Sequence, residues 1–178
     1  MQGTEERTSG SVSSNNKRYE KDDNLKVALQ VKNELEKQDI KVILTRNDDA
    51  FVSLEKRCQI ANLRQADLFV SIHRNSSQSG DGVEIWMSQK KDAISESLAT
   101  DILNELEKVE IQSNRGVKVG TSENNGSDYF VNKNTKMPSC LIELGFISNS
   151  KDNQLFDENL EEYAKAIASG ILKNIKQK

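Results

Sequence analysis

The 178 residues contain a single histidine, His73, which follows directly on the apolar run Leu68-Phe69-Val70-Ser71-Ile72. Glu143 closes another such run, Cys140-Leu141-Ile142, and Gly145 stands two positions later. If both runs are strands of one α/β sheet, their carboxyl ends bring an imidazole and a carboxylate to the same edge. Sheets of that kind gather their functional groups there. Imidazole is a metal ligand, and a carboxylate serves as ligand or general base, so the pair suits metal-assisted hydrolysis. The competing reading is structural: a satisfied strand-end histidine and a glutamate that serves a nearby loop. Any site with several imidazoles must take the others from outside this chain. Cys58 and Cys140 show no C-x-x-C spacing. That excludes a cysteine zinc finger and a disulfide scaffold, and both are expected as reduced core residues.

The elements that must position these groups follow from periodicity. Residues 1 to 23 are polar and aperiodic and read as an extended loop or tail. A helix begins near Leu25, with Ala28, Leu29 and Leu35 on one face and Val27 and Val31 widening it; Asp22 or Asp23 is its expected cap. Ile40–Thr45 reads as a strand apolar on both faces. Ser53 is expected to cap a helix to about Arg64 that buries Leu54, Cys58 and Ala61. Strands follow at Leu68–Ile72 and, half-exposed, at Val83–Met87, and a helix carries Ile94, Leu98, Ile102, Leu106 and Val109. Residues 111 to 128 read as loop, Tyr129–Val131 and Cys140–Glu143 as short strands. Leu160, Tyr163, Ala164, Ile167, Ala168, Ile171, Leu172 and Ile175 form the clearest helical stripe. Strands alternating with helices predict one α/β domain over residues 1–178, with a twisted, mostly parallel or mixed sheet of about five to six strands.

Composition narrows the function. There are 25 Lys+Arg against 28 Asp+Glu, for a net charge of −3, and the pI is near 5.4. Mixed charge of this kind argues against nucleic acid as a partner. No apolar run approaches the ~20 residues that span a bilayer. The start, MQGTEERTSG, has no apolar h-region, so no signal peptide is expected in this chain. A nucleotide-binding domain would show a Gly-rich loop after a strand, which is absent. The expectation is a monomer.

Several strings, taken in order, carry more information than their spacing. They are Arg18-Tyr19-Glu20-Lys21-Asp22-Asp23-Asn24-Leu25, Val42-Ile43-Leu44-Thr45-Arg46, Ala66–Asn75 with Ser71-Ile72-His73-Arg74-Asn75, and Asn134–Asn149 with Ile142-Glu143-Leu144-Gly145-Phe146-Ile147-Ser148-Asn149. Together they resemble the zinc-dependent N-acetylmuramoyl-L-alanine amidases of the amidase-3 type, bacterial cell-wall hydrolases. The resemblance implies hydrolysis of the amide between N-acetylmuramic acid and L-alanine in peptidoglycan, outside the cell or in its wall. It implies Zn²⁺ as cofactor, with Glu20 and His73 as metal ligands and Glu143 as the catalytic glutamate. One part is missing: the family's first histidine ligand sits in an Asp-Pro-Gly-His motif after a first strand, and this chain has no such motif. The expectation is a chain lacking that strand, with two of three zinc ligands. An acidic residue within 1–18, where Glu5 and Glu6 lie, is the place to look for a substitute. The alternative is an inactive amidase-like domain that binds peptidoglycan or a partner. The resemblance also places Arg115-Gly116-Val117-Lys118 near the substrate groove, although the spacing alone fits an exposed turn. Trp86 is expected to pack at a sheet edge, and Asn75 to orient either His73 or the local turn.

Overall fold

The computed structural model describes residues 18–90, 92–123 and 126–176, so the polar segment before residue 18 lies outside the described residues. Four strands form one mixed sheet in the order β1 (Phe69–Asn75), β4 (Ser139–Phe146), β2 (Val83–Met87) and β3 (Asn114–Val119). β1 runs parallel to β4, β2 antiparallel to β4, and β3 parallel to β2. β4 and β2 are central and buried throughout, so β2 is not the half-exposed strand its sequence suggests. Both of its faces are covered and both of its edges are paired.

Three helices cover one face: α1 (Glu20–Glu36), α3 (Ala93–Leu106) and α5 (Ser150–Lys176). Val27, Val31 and Leu35 of α1 join Leu98, Ile102 and Leu106 of α3 in the main core. Phe156, Tyr163 and Ile167 of α5 meet them, together with Cys140, Ile142 and Leu144 of β4. The opposite face carries a smaller cluster, in which Trp86 and Leu141 meet Cys58 of α2 (Leu54–Leu63) and Val131 of α4 (Phe130–Asn134). Alternation along a strand explains the split: Cys140, Ile142 and Leu144 of β4 face the three helices, and Leu141 and Glu143 face the other way.

Several expectations are corrected. α1 starts five residues earlier than its apolar stripe, at Glu20, and neither Asp22 nor Asp23 caps it. Asp23 instead accepts from Arg18 and Arg74, an ion pair that removes it from capping. Ser53 does cap α2, accepting from the Lys56 amide, but Leu54 is exposed. Residues 111–128 contain β3, an edge strand whose charged and glycine residues hide the alternation. Tyr129–Val131 is not a strand; Phe130 opens α4. Trp86 is a packing residue, but on a central strand, with Tyr129 edge-on at 5.7 Å.

Ile40–Thr45 forms no strand. An extended segment needs a partner for its backbone groups, and a cavity of about 1120 Å³ separates it from β1. Val42, Leu44, Val70, Ile72, Leu25 and Ala28 are among its lining residues. Among the described residues β1 pairs only with β4, so its other edge faces this space. The sheet therefore has four described strands rather than five to six. No helix is long and apolar enough to cross a membrane among the described residues.

Candidate active site

Strand register sets the site. His73 of β1 pairs with Glu143 of β4, and Glu143 pairs with Glu84 of β2. Residues directly opposite on neighbouring strands share a face, so His73, Glu143 and Glu84 stand in one row across three strands. The row follows that of Ser71, Leu141 and Trp86, one step towards the carboxyl ends of β1 and β4. Beyond Glu143, two steps on β1 (His73 to Asn75) oppose three on β4 (Glu143 to Phe146), a bulge. Gly145 sits there with φ +78°, and a Cβ would come within 3.2 Å of Asp152. The Asp152 carboxylate accepts from the amides of Phe146 and Gly82 at 2.8 and 2.9 Å, which pins the bulge to β2.

Glu20 reaches the row from the first turn of α1. It is buried, and its Oε1 accepts from His73 Nδ1 at 2.7 Å and from Asn24 at 3.0 Å. A carboxylate only accepts, so Nδ1 carries the proton; Ser71 Oγ lies 3.0 Å from Nε2. Burial works to lower the His73 pKa, but the hydrogen bond and charge of Glu20, with Glu143 adding, hold it above the usual value. Arg74 holds α1 against this end of β1. Its guanidinium is buried, donates to Asp23 at 2.8 Å and to Asn153 at 2.8 Å, and lies 4.4 Å from the centre of the Phe156 ring. Burial pushes its pKa down to about 10. The sequence offered no role for Arg74; the ion pair with Asp23 supplies one.

Glu143 is buried, and its Oε2 has no hydrogen-bond partner among the described residues. Burial pushes its pKa up to about 8, with the charges of Glu20 and Glu84 adding and His73 and Arg74 opposing. At neutral pH it holds a proton that a modest change in local charge would release. Asn75 does not orient His73. Its Nδ2 donates to Glu84 at 3.0 Å, and its Oδ1 accepts from the Ser76 amide in the local turn.

His73 and Glu143 lie towards the carboxyl ends of the parallel strands β1 and β4, and Glu20 joins them from the first turn of α1. The family model described as N-acetylmuramoyl-L-alanine amidase (Amidase_3) matches residues 2–176. The chain belongs to the N-acetylmuramoyl-L-alanine amidase family. Among relatives of this amidase family, YqiI of Bacillus subtilis, itself uncharacterised, is 39% identical over 159 residues, 88% of this chain and 73% of that protein. LytH of Staphylococcus epidermidis, described as a probable cell wall amidase, is 32% identical over 94% of this chain and 52% of its own length. The chain thus spans about half of that relative. The crystal structure of an N-acetylmuramoyl-L-alanine amidase from Clostridium difficile 630 superposes with a TM-score of 0.86 at 32% identity, covering 96% of this chain and 91% of that one. The CwlD amidase of Clostridioides difficile, solved in complex with the GerS lipoprotein, gives 0.86 at 30% identity over 96% and 93%.

Within this amidase fold Glu20 and His73 are in direct contact and Glu143 is the next residue along the row. The donor set does not complete a zinc centre: no group of three or more His, Cys, Asp or Glu that could hold a metal occurs among the described residues. A catalytic zinc takes three protein ligands and keeps a fourth position open, whereas Glu20 and His73 offer two donor side chains in contact. The residues that sequence reasoning undervalued are Glu84, Arg115 and Lys118. Their signal was the glutamate in the otherwise apolar run Val83-Glu84-Ile85-Trp86-Met87, since a carboxylate inside a buried strand needs partners.

Proposed function

We propose that the chain acts as one catalytic domain that hydrolyses the amide between the lactyl group of N-acetylmuramic acid and L-alanine in peptidoglycan, at the cell wall or outside the cell. The observation that carries this reading is Glu143: a buried carboxyl with one unengaged oxygen, beside the Glu20–His73 pair, in an amidase-family chain. Amide hydrolysis needs one group that takes a proton from water and returns it to the departing amine. A carboxyl poised near pH 8 does both within a small change of surroundings. Glu20 and His73 are the proposed ligands of Zn²⁺. Among the described residues these are two of the three ligands a catalytic zinc takes, so tight binding needs a third from outside residues 18–176.

The test incubates the purified protein, with and without added zinc, with peptidoglycan. Amidase action frees alanine α-amino groups and creates no new reducing sugar ends. Fresh reducing ends without free alanine amines would replace the reading with glycan hydrolysis. Binding to peptidoglycan with neither product, with zinc present, would defeat it in favour of a binding domain.

A further inference from the structure

The row His73–Glu143–Glu84 ends on β3 in two cations. Arg115 Nε donates to Glu84 Oε2 at 2.7 Å, and Lys118 Nζ donates to the same oxygen at 2.6 Å. Glu84 Oε1 accepts from Trp86 Nε1 and Asn75 Nδ2, each at 3.0 Å. One buried carboxylate, 2% exposed, therefore meets two cations whose side chains remain 36% and 32% exposed. Neutralising Glu84 takes one of them, and the second is surplus. Both heads are held: Arg115 lies 5.1 Å from the centre of the Phe146 ring and Lys118 5.3 Å from that of Trp86. The Lys118 ammonium has two further N–H donors, and the Arg115 guanidinium has its Nη groups, whose only other partner among the described residues is a long contact to the Asp81 carbonyl. Asp81's own carboxylate accepts from Ser113 Oγ at 2.6 Å. A cross-strand ion pair alone would close β3 onto β2 with one cation.

The geometry points to Arg115 and Lys118 as a carboxylate subsite, positioned by Glu84, for an acidic residue downstream of the scissile amide. This rests on the reading of Glu143 as the reacting end of the row. Two strand spacings of ~4.8 Å separate β4 from β3, about 10 Å. An extended peptide covers 3.3–3.6 Å per residue, so a carboxylate on the second or third residue after the cleaved bond reaches the pair. A planar guanidinium beside an ammonium suits a carboxylate, whereas an uncharged sugar has no use for the surplus charge. Arg115 and Lys118 are specificity-determining residues in this reading, and Glu84 is a positioning residue.

The single tryptophan, Trp86, is bonded to Glu84 and lies beside Lys118, so its fluorescence reports the subsite without any turnover. The probes are N-acetyl-L-alanyl-glutamate and the same compound with both carboxyls amidated. The diacid is expected to bind at least tenfold more tightly than the diamide, and less tightly as salt rises. Arg115→Gln and Lys118→Gln should each remove most of that preference, whereas the charge-keeping Arg115→Lys and Lys118→Arg retain it. Circular dichroism identifies any variant that fails to fold, and the charge-keeping pair then carries the test through its retained preference. Equal binding of diacid and diamide, no binding of either, or a Gln variant that stays folded and keeps the preference would overturn the subsite. A carboxylate preference without amide hydrolysis would leave the subsite standing and remove the proposed activity. Hydrolysis without the preference would do the reverse.

Discussion

Glu143 and Glu84 are cross-strand partners on adjacent central strands, and both are buried. Burial works to raise the pKa of each. At Glu84, hydrogen bonds from Arg115, Lys118 and Trp86 outweigh it, and the pKa falls below the usual carboxylate value. At Glu143 one oxygen has no partner, burial prevails, and the pKa rises to about 8. The contrast teaches that donors can overcome burial and keep one buried glutamate an anion, while a buried glutamate short of donors keeps its proton. The Glu84 end of the row is saturated with donors, and the Glu143 end is left short.

The largest expected effect tests the reactive end. Glu143→Gln should lower the release of free alanine amines from peptidoglycan by 10²–10⁴-fold. Retention of more than about a tenth of the parent rate would strip Glu143 of its role.

Next comes the support under Glu20. Asp23→Ala leaves the Arg74 guanidinium buried without its ion partner, and should cost about 3–5 kcal/mol in urea unfolding. A loss under about 1 kcal/mol would mean that Asn153 and the Phe156 ring suffice to hold it.

The contrast between the two glutamates is tested directly by pH. Because Glu143 holds its proton more tightly folded than unfolded, stability should fall as pH rises from about 4.3 to about 8, then level off. Glu84, with its lowered folded value, contributes stability above about 4.3 that is lost as pH falls through its folded pKa. Accordingly, Glu143→Gln should stabilise the metal-free protein near pH 8 by about 1–3 kcal/mol, and Glu84→Gln should destabilise it by a similar amount. Melting curves from pH 5 to 9 decide this. The same sign of change in both variants would erase the distinction.

The smallest effect concerns Ser71. Ser71→Ala removes the hydroxyl beside His73 Nε2 and should cost about 0.5–1.5 kcal/mol, while the histidine keeps its Glu20 bond. Imidazole NMR shifts report the change; a lost Glu20 contact would show that Ser71 does more than satisfy one nitrogen.

The local sequence determined a good deal of this protein. The runs at 68–72 and 140–143 are strands because their residues suit a covered sheet, and the stripe from Leu160 to Ile175 is a helix because its period admits nothing else. His73 and Glu143 were legible as strand-end groups from their own neighbours in the chain. Glu20 was legible only through the resemblance, since by itself it reads as one charge among Lys21, Asp22 and Asp23. The tertiary structure decided the rest. Ile40–Thr45 has a strand's composition and no strand's pairing, because the partner edge lies across a cavity. Asp23, Arg74 and Glu84 look like surface charges and are buried, because their counter-charges come from positions 5 to 51 residues away. Glu143 is the converse case: burial pushes its pKa up to about 8 because no described donor reaches its Oε2. Periodicity records which way a side chain faces, but its charge depends on the donors that distant segments bring within hydrogen-bond reach.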